Sequence, residues 1–496
     1  MEPAWKKYLF TYRLPVLLIL ILFGALHLFI VCYNHYMFRT FTFDYGVYNY
    51  ALYDYAHGRV SICPIMELWG VERTFLQDHF SLSFFLFIPF YWLLQPIFGT
   101  YTVFIIQWCF IMYGAWATYK LIALNTEKRW VAVVGLLYYF VIYGRYSSYQ
   151  NDCNLATIGA AMLPVFIYYF EKKSLWGTVL SFAFIVINRE DFSLCMIFMC
   201  AAFALVHRKE PVLRNRALYL SGAALLSFII IFAWIIPALH DARNEFRLFD
   251  YTALGPTPGK ALVFILTHPI DAFRYLFVNH TADPAVDGVK AKFYYVYGLS
   301  GGLLLLLRPA YLSLLIPFLA KKMYNDASDR WGCETYYSVE EASLFPALVF
   351  MTISQLKWSG LRGALYPLVC VAAIYITVSS MFSAYYPNPY LKFNFLDKNY
   401  YHENYDVKAL HQALTKIPGD APVSASTAIV PHLALRKAIY HFPVVKDAEY
   451  ICLNTRIDTY PYSPQDFERE INKLLNTGLW EQMDGNADFV LLHLRK

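Results

Sequence analysis

Three polar clusters break up the long apolar runs of this chain, and each holds side chains able to do chemistry. The stretch Phe43-Asp44-Tyr45-Gly46-Val47-Tyr48-Asn49-Tyr50-Ala51-Leu52-Tyr53-Asp54-Tyr55-Ala56-His57-Gly58 follows the first apolar run and has the pattern of a short amphipathic helix that Gly58 ends. An ionised Asp44 at that helix N-terminus, on the edge of a wet cavity, is placed to accept a hydroxyl proton or to hold a metal ion. The same position also suits a plain N-cap. Asp78-His79-Phe80 puts a carboxylate beside an imidazole, a common start to a divalent-metal site. Two adjacent ligands do not complete a site, so partners must come from elsewhere, with Asp152 and Glu72 as candidates. In the plainer reading Asp78 caps a helix and His79 is an interfacial side chain. Asn188-Arg189-Glu190-Asp191 separates two apolar runs, where four polar residues are costly unless they face protein or water. The Arg189 guanidinium matches phosphate oxygens bidentately and suits a lipid-linked phosphate, or it pairs internally with Glu190 or Asp191. His240 with Asp241, and Tyr336-Tyr337-Ser338, are polar breaks of the same kind that also read as interfacial anchors or loop residues.

The elements holding these clusters are set by composition. With 58% apolar and 16% charged residues, the chain lies outside the ordinary soluble class, and the bilayer is its solvent. Net charge is +5, but Lys and Arg gather at the ends of apolar runs and form no continuous basic face, which argues against nucleic acid. The nine cysteines show no CxxC spacing. Cys32, Cys109, Cys195, Cys200 and Cys370 read as small buried hydrophobes, whereas Cys63, Cys153, Cys333 and Cys452 leave a disulfide open.

Apolar runs at 14–33, 101–124, 130–146, 155–170, 175–188, 192–206, 217–239, 342–356 and 363–381 each read as a crossing. The first follows Lys6, Lys7 and Arg13 without a small-residue cleavage site and is expected to stay as an uncleaved helix. Lys6 and Lys7, Lys120 with Lys128 and Arg129, Lys172 and Lys173, and Arg208 to Arg216 all fit one side, which puts the N-terminus in the cytoplasm. The run 80–98, with Pro89 and Pro96, must then not cross, since an extra crossing would reverse every later basic cluster. It is expected as a juxtamembrane or re-entrant segment on the outer face. The polar stretches 35–79, 147–154 and 188–191 then share that face, under a loop spanning 240–293. Residues 294–320, interrupted by Arg308 and Pro309, read either as two short helices or as one broken crossing. Two crossings leave Lys321 and Lys322 on the outer face and put the C-terminal region there too.

Beyond the linker at 385–390 the pattern turns soluble. Strands are expected at 422–426 and 448–453, and a short helix at 428–436. A helix at 464–475 is capped by Ser463, and a hairpin at 479–494 turns near Asp484-Gly485-Asn486. The expected architecture is a membrane all-α bundle over 1–384, with about eleven transmembrane helices plus juxtamembrane helices, followed by a small soluble α/β domain over 385–496.

Together the FDYGVYNYALYDYAHG stretch, DHFS, NRED, YYS and IPGDAPVSASTAIVPHLALRKAIYHFP resemble, in order, a family of predicted bacterial membrane proteins of unknown function. That family is similar in turn to the GT-C glycosyltransferases, such as protein O-mannosyltransferases and the lipid A aminoarabinose transferase. The resemblance implies a GT-C fold and a transferase taking a sugar from a polyprenyl-phosphate donor to a glycan, lipid or protein acceptor at the outer face of the bacterial cytoplasmic membrane. It implies Asp44 as the catalytic carboxylate and Asp152 as the second outer-loop acid. Arg189, Asp152, His240 and Tyr337 would bind substrate, and Asp78 with His79 would hold a divalent metal ion. The chain departs from its relatives in Asn151-Asp152-Cys153, where they commonly show Phe-His-Pro, and in Tyr336, where they often carry His. A transporter or flippase for lipid-linked sugars, or a non-catalytic envelope scaffold, uses the same polar residues differently.

Overall fold

The computed structural model describes residues 12–70, 72–240, 249–383, 392 and 394–495, so the linker at 385–390, Lys6, Lys7 and Asp241 lie outside the described residues. The chain starts with α1 (Leu14–Tyr36) and the short α2 (Val47–Ala56), followed by α3 (Ser83–Phe98) and α4 (Thr102–Asn125). Next come α5 (Arg129–Val141), α6 (Tyr143–Gln150), α7 (Leu155–Glu171), α8 (Leu175–Asn188) and α9 (Glu190–Val206). The long α10 (Pro211–Leu239) leads to two short helices, α11 (Pro258–Thr267) and α12 (Pro269–Tyr275). The helical part ends with α13 (Val289–Leu299), α14 (Ile316–Met323), α15 (Val339–Ser354) and α16 (Ser359–Ser383).

Among the described residues four helical stretches are long and apolar enough to cross a membrane: Leu14–Tyr36, Ser83–Asn125, Pro211–Leu239 and Ser359–Ser383. Only 22% and 17% of the most apolar windows of α1 and α10 are buried in protein, so their exposed leucines and isoleucines face lipid. By contrast α7 and α15 are buried almost throughout and form the centre of the bundle, packed on α4, α5 and α8. The apolar run 130–146 is not one helix: Ile142 is extended (φ −71°, ψ 137°), and the more polar α6 turns away after it. All nine cysteines are free; Cys109 is exposed, not buried.

Hydrogen bonds at the helix ends show which ends share a face. Asn188, closing α8, donates to Leu155 O at the start of α7 at 2.7 Å, and Asn34 near the end of α1 donates to Gln150 Oε1. At the opposite face Lys173 pairs with Glu210 and His207 with Glu171. Both ends of α3 lie on the first of these faces: Leu82 N–H donates to Ile187 O and Ser83 to Asn188, while Thr100, just past its far end, is 2.9 Å from His35 Nε2. A helix with both ends at one face of the bundle lies along that face. The 294–320 run goes across and back. Lys290 Nζ donates to Met323 O at 2.7 Å, joining its two ends, while Arg308 reaches Gln355 O at the opposite face.

The C-terminal region forms a five-stranded sheet in the order β2-β1-β3-β5-β4. β1 (Val423–Ala425) is parallel to β2 (Ile439–His441) and β3 (Tyr450–Asn454), and β5 (Phe489–Leu494) is antiparallel to both β3 and β4 (Trp480–Gly485). Helices α17 (Val407–Leu414) and α18 (Pro464–Asn476) flank it, with the Ser463 side chain accepting from Asp466 N–H as its sequence predicts. β2 and α17 are additions to the elements read from sequence; the three residues of β2 are too few to show a period. This region docks on residues 34–75. Tyr405 OH donates to Met37 O, Thr42 to Thr427 O, and Arg39 Nε to Glu403 at 2.6 Å. The His432 ring stacks on His35 at 4.0 Å.

Candidate active site

Asp44 is not the cap of α2. The N-cap is Gly46, with no side-chain cap, and Asp44 stands two residues earlier at φ 72°, ψ −90°, a strained γ-turn conformation. Such a backbone costs on the order of 1–3 kcal/mol and persists only where the surroundings enforce it. Two contacts do so. Gly46 N–H returns to Phe41 O, and Phe41 N–H donates to Asp152 Oδ2 at 2.9 Å. The carboxylate itself accepts from Asn154 Nδ2 at 3.4 Å, and Asn154 is also the cap of α7.

Asp44 opens into a cavity of about 120 Å3 lined by Phe43, Asp44, Val47, Tyr48, Met66, Phe75, Asp78 and His79. Burial pushes its carboxyl up to about 6, against the pull of His79 and Arg189. Across the cavity His79 behaves oppositely. Burial lowers it, but the hydrogen bond and charge of Glu190, with Asp78 added, reverse this and raise it to about 9. Its Nδ1 is 3.2 Å from Glu190 Oε1 and its Nε2 is 3.8 Å from Asp78 Oδ2. At neutral pH the cavity therefore sets a carboxylate against an imidazolium.

Asp78 is not a cap either. It ends the turn Phe75–Asp78, which Thr74 and Gln77 cap, and lies 3.4 Å from Arg73. Neither suggested metal partner reaches it: Glu72 turns to Lys446 at 3.7 Å, and Asp152 is spent on Phe41 N–H. Among the described residues no three His, Cys, Asp or Glu side chains are grouped to share a metal ion, and both His79 nitrogens face carboxylates. The donor set suits a proton on His79 better than a metal.

Arg189 forms the internal pair that its sequence allows, its Nε and Nη2 both donating to Asp191. Lys321 then bridges Asp191 at 2.9 Å and Glu340 at 2.6 Å, so two cations and two carboxylates form one network behind His79. Lys321 and Glu340 were not found from sequence. The one signal was that the charge pattern leaves Lys321 and Lys322 on the outer face, which costs least where carboxylates neutralise them. His240 joins α10 to this region, lying 2.7 Å from Gln77 O next to Asp78. Tyr337 accepts from Tyr336 OH at 3.1 Å; burial, then the charge of Asp44, raises the Tyr336 hydroxyl. Asp44, Asp78 and His79 thus share one cavity, Arg189 lies within electrostatic reach, and Asp152 sits beneath the loop as a support.

A bundle of apolar helices bearing a cavity with charged side chains at one face, with a small α/β sheet docked beside it, defines a multi-spanning membrane protein. The chain belongs to the predicted membrane protein family DUF2079, which it matches over residues 34–491. No curated protein shows significant similarity to it. Among solved structures it is similar to the Archaeoglobus fulgidus oligosaccharyltransferase tethered with an acceptor peptide containing the NVT sequon, at 12% identity and a TM-score of 0.43. It is similar also to the archaeal oligosaccharyltransferase AglB from the same organism in complex with an inhibitory peptide and a dolichol-phosphate, at 12% identity and a TM-score of 0.42. Each match covers 91% of this chain and 70% of the other.

Proposed function

We propose that the protein is a membrane glycosyltransferase of GT-C type, with about eleven crossings, moving a sugar from a polyprenyl-phosphate donor to an acceptor hydroxyl at the outer face of the bacterial cytoplasmic membrane. One observation carries the reading: Asp44, a carboxyl raised to about 6, shares a small cavity with His79, an imidazole raised to about 9. A base titrating just below neutrality is matched to removing a hydroxyl proton as the bond forms. The order of motifs supports the reading, as does the basic character of the opposite face, which positive-inside bias assigns to the cytoplasm.

Asp44 takes the proton from the acceptor hydroxyl while the acceptor oxygen bonds to the anomeric carbon. The bond from that carbon to the phosphate oxygen breaks, and the electron pair leaves with the lipid phosphate. His79 and Arg189 supply positive charge where that phosphate develops its negative charge. Arg189 reaches it by exchanging part of its hold on Asp191, whose charge Lys321 retains. Asp152, His240 and Tyr337 fix the loops around the bound substrates. A cavity that combines apolar walls with Asp44, Asp78 and His79, set at a lipid-facing bundle, suits a donor whose tail stays in the bilayer.

Lipid extracted from the purified protein tests the donor class. A polyprenyl-phosphate sugar is expected to copurify with wild type and to be depleted in Arg189→Ala; extracts with no such lipid, even after incubation with one, would contradict the reading.

A further inference from the structure

A second, larger cavity lies on the other side of the Asp44 loop. Its volume is about 340 Å3, and its lining is Phe38, Arg39, Lys392, Glu403, Asn404, Tyr405, Arg456 and Ile457. Phe38 and Arg39 come from the loop itself and the rest from the C-terminal region, so the cavity exists only because the two are docked. The charges on its wall do not balance. Arg39 and Lys392 share the single carboxylate Glu403, at 2.6 and 3.1 Å, and the guanidinium of Arg456 is tied through Nε to Asp488, which is not in the lining. Three cations therefore face the space against one carboxylate. Arg39 is also fixed by the Tyr400 carbonyl and is buried, which holds its charge in place. Lys392 and Arg456 keep accessible side chains at 29% and 48%, although Lys392 Nζ also donates to the His402 carbonyl. Phe38 and Ile457, both buried, make an apolar floor below this charged rim.

We infer that this cavity binds an anionic sugar unit, one carrying a carboxylate or a phosphate ester. Its volume sits at the small end of ligand sites and suits one hexose-sized group. Guanidinium and ammonium groups on one wall match carboxylate and phosphate oxygens, and the amide of Asn404 can bond ring hydroxyls. Residues 39–43 separate this space from Asp44, and Thr42 in the middle is pinned to Thr427 of the C-terminal region. Occupancy here is therefore felt by the Asp44 loop. Its use for holding part of the acceptor rests on the transferase reading, but the binding itself does not.

The test is calorimetric titration of the full chain in detergent with glucuronate, glucose 6-phosphate and glucose at low salt. One or both charged sugars are expected to bind, and glucose is not; the one that binds identifies the anion. Arg456→Ala and Lys392→Gln, each checked for unchanged thermal unfolding, should each weaken binding by about tenfold or more, the scale of a lost charge-assisted contact. Asp44→Asn should bind the sugars as wild type does, which separates this site from the catalytic reading. Binding of neither charged sugar, equal binding of glucose, or undiminished affinity in both variants would overturn the inference.

Discussion

The backbone N–H of Phe41 donates to Asp152 Oδ2, fastening the chain three residues before Asp44 to the turn between α6 and α7. Burial raises the Asp152 carboxyl, and the nearby charge of Asp44 adds to this. Its role in the account is therefore positional. Asp152→Asn keeps an oxygen to accept the bond and should retain most transfer activity. Asp152→Ala should lose about a hundredfold in kcat, the scale of an ångström of misplacement. Steady-state assays of the two variants side by side check this; equal losses in both would instead mark the carboxylate charge as the important property.

The pH profile of kcat/KM should be bell-shaped. Asp44 acts only when ionised, so activity rises as the pH climbs through about 6. His79 helps only as a cation, so activity falls as the pH passes about 9. Initial rates between pH 5 and 10 test both limbs, and His79→Gln should remove the alkaline one and, by taking away a charge that lowers the Asp44 carboxyl, move the acid one to higher pH.

Much of this site was legible in the sequence, for physical reasons that differ by residue. Asp44, Asp78, His79, Asp152 and Arg189 stand out because polar groups beside a bilayer are costly and so are kept for a purpose. Their common face followed from the positions of Lys and Arg. The backbone at Asp44 was not legible. Tyr, Asn and Ala after Gly46 promise a helix, but the positive φ is held by the Gly46–Phe41 bond and by Asp152, over a hundred positions away. The break at Ile142 was hidden likewise, since apolar residues run straight through it and the nearest glycine, Gly144, falls inside the next helix. Lys321 and Glu340 meet only through the folding back of 289–323, which no local pattern encodes.

Lys321 ties Asp191 to Glu340 in a half-buried network, and the account makes it structural as well as electrostatic. Lys321→Met leaves Asp191 to Arg189 alone and strands Glu340, whose side chain is almost fully buried. Removing one partner from a buried pair costs roughly 3–5 kcal/mol. Thermal unfolding in detergent should show a clear fall in Tm, and the double variant Lys321→Met with Glu340→Leu should recover part of it. An unchanged Tm in the single variant would place this network outside the folded core.

Docking of the C-terminal region should weaken in acid. Burial, with the neighbouring rings of His35 and His411, holds the His432 imidazole well below its ordinary value, and burial lowers His411 too. Such groups are neutral in both states above about 6.5, where docking is at full strength. Below that the released chain binds protons that the docked one refuses, so stability falls as the pH drops. Protease cleavage after residue 394 should rise between pH 7 and 5 in wild type and change less in His432→Asn. A flat response in wild type would remove the histidine stack from the joint.

Transfer by Asp44→Asn tests the central claim most directly. With a radiolabelled polyprenyl-phosphate sugar in proteoliposomes, the variant should fold and bind donor as wild type does, yet lose about 10²- to 10⁴-fold in the rate of sugar transfer, the usual worth of a general base. Full transfer by a chain carrying Asn at that position would contradict the account.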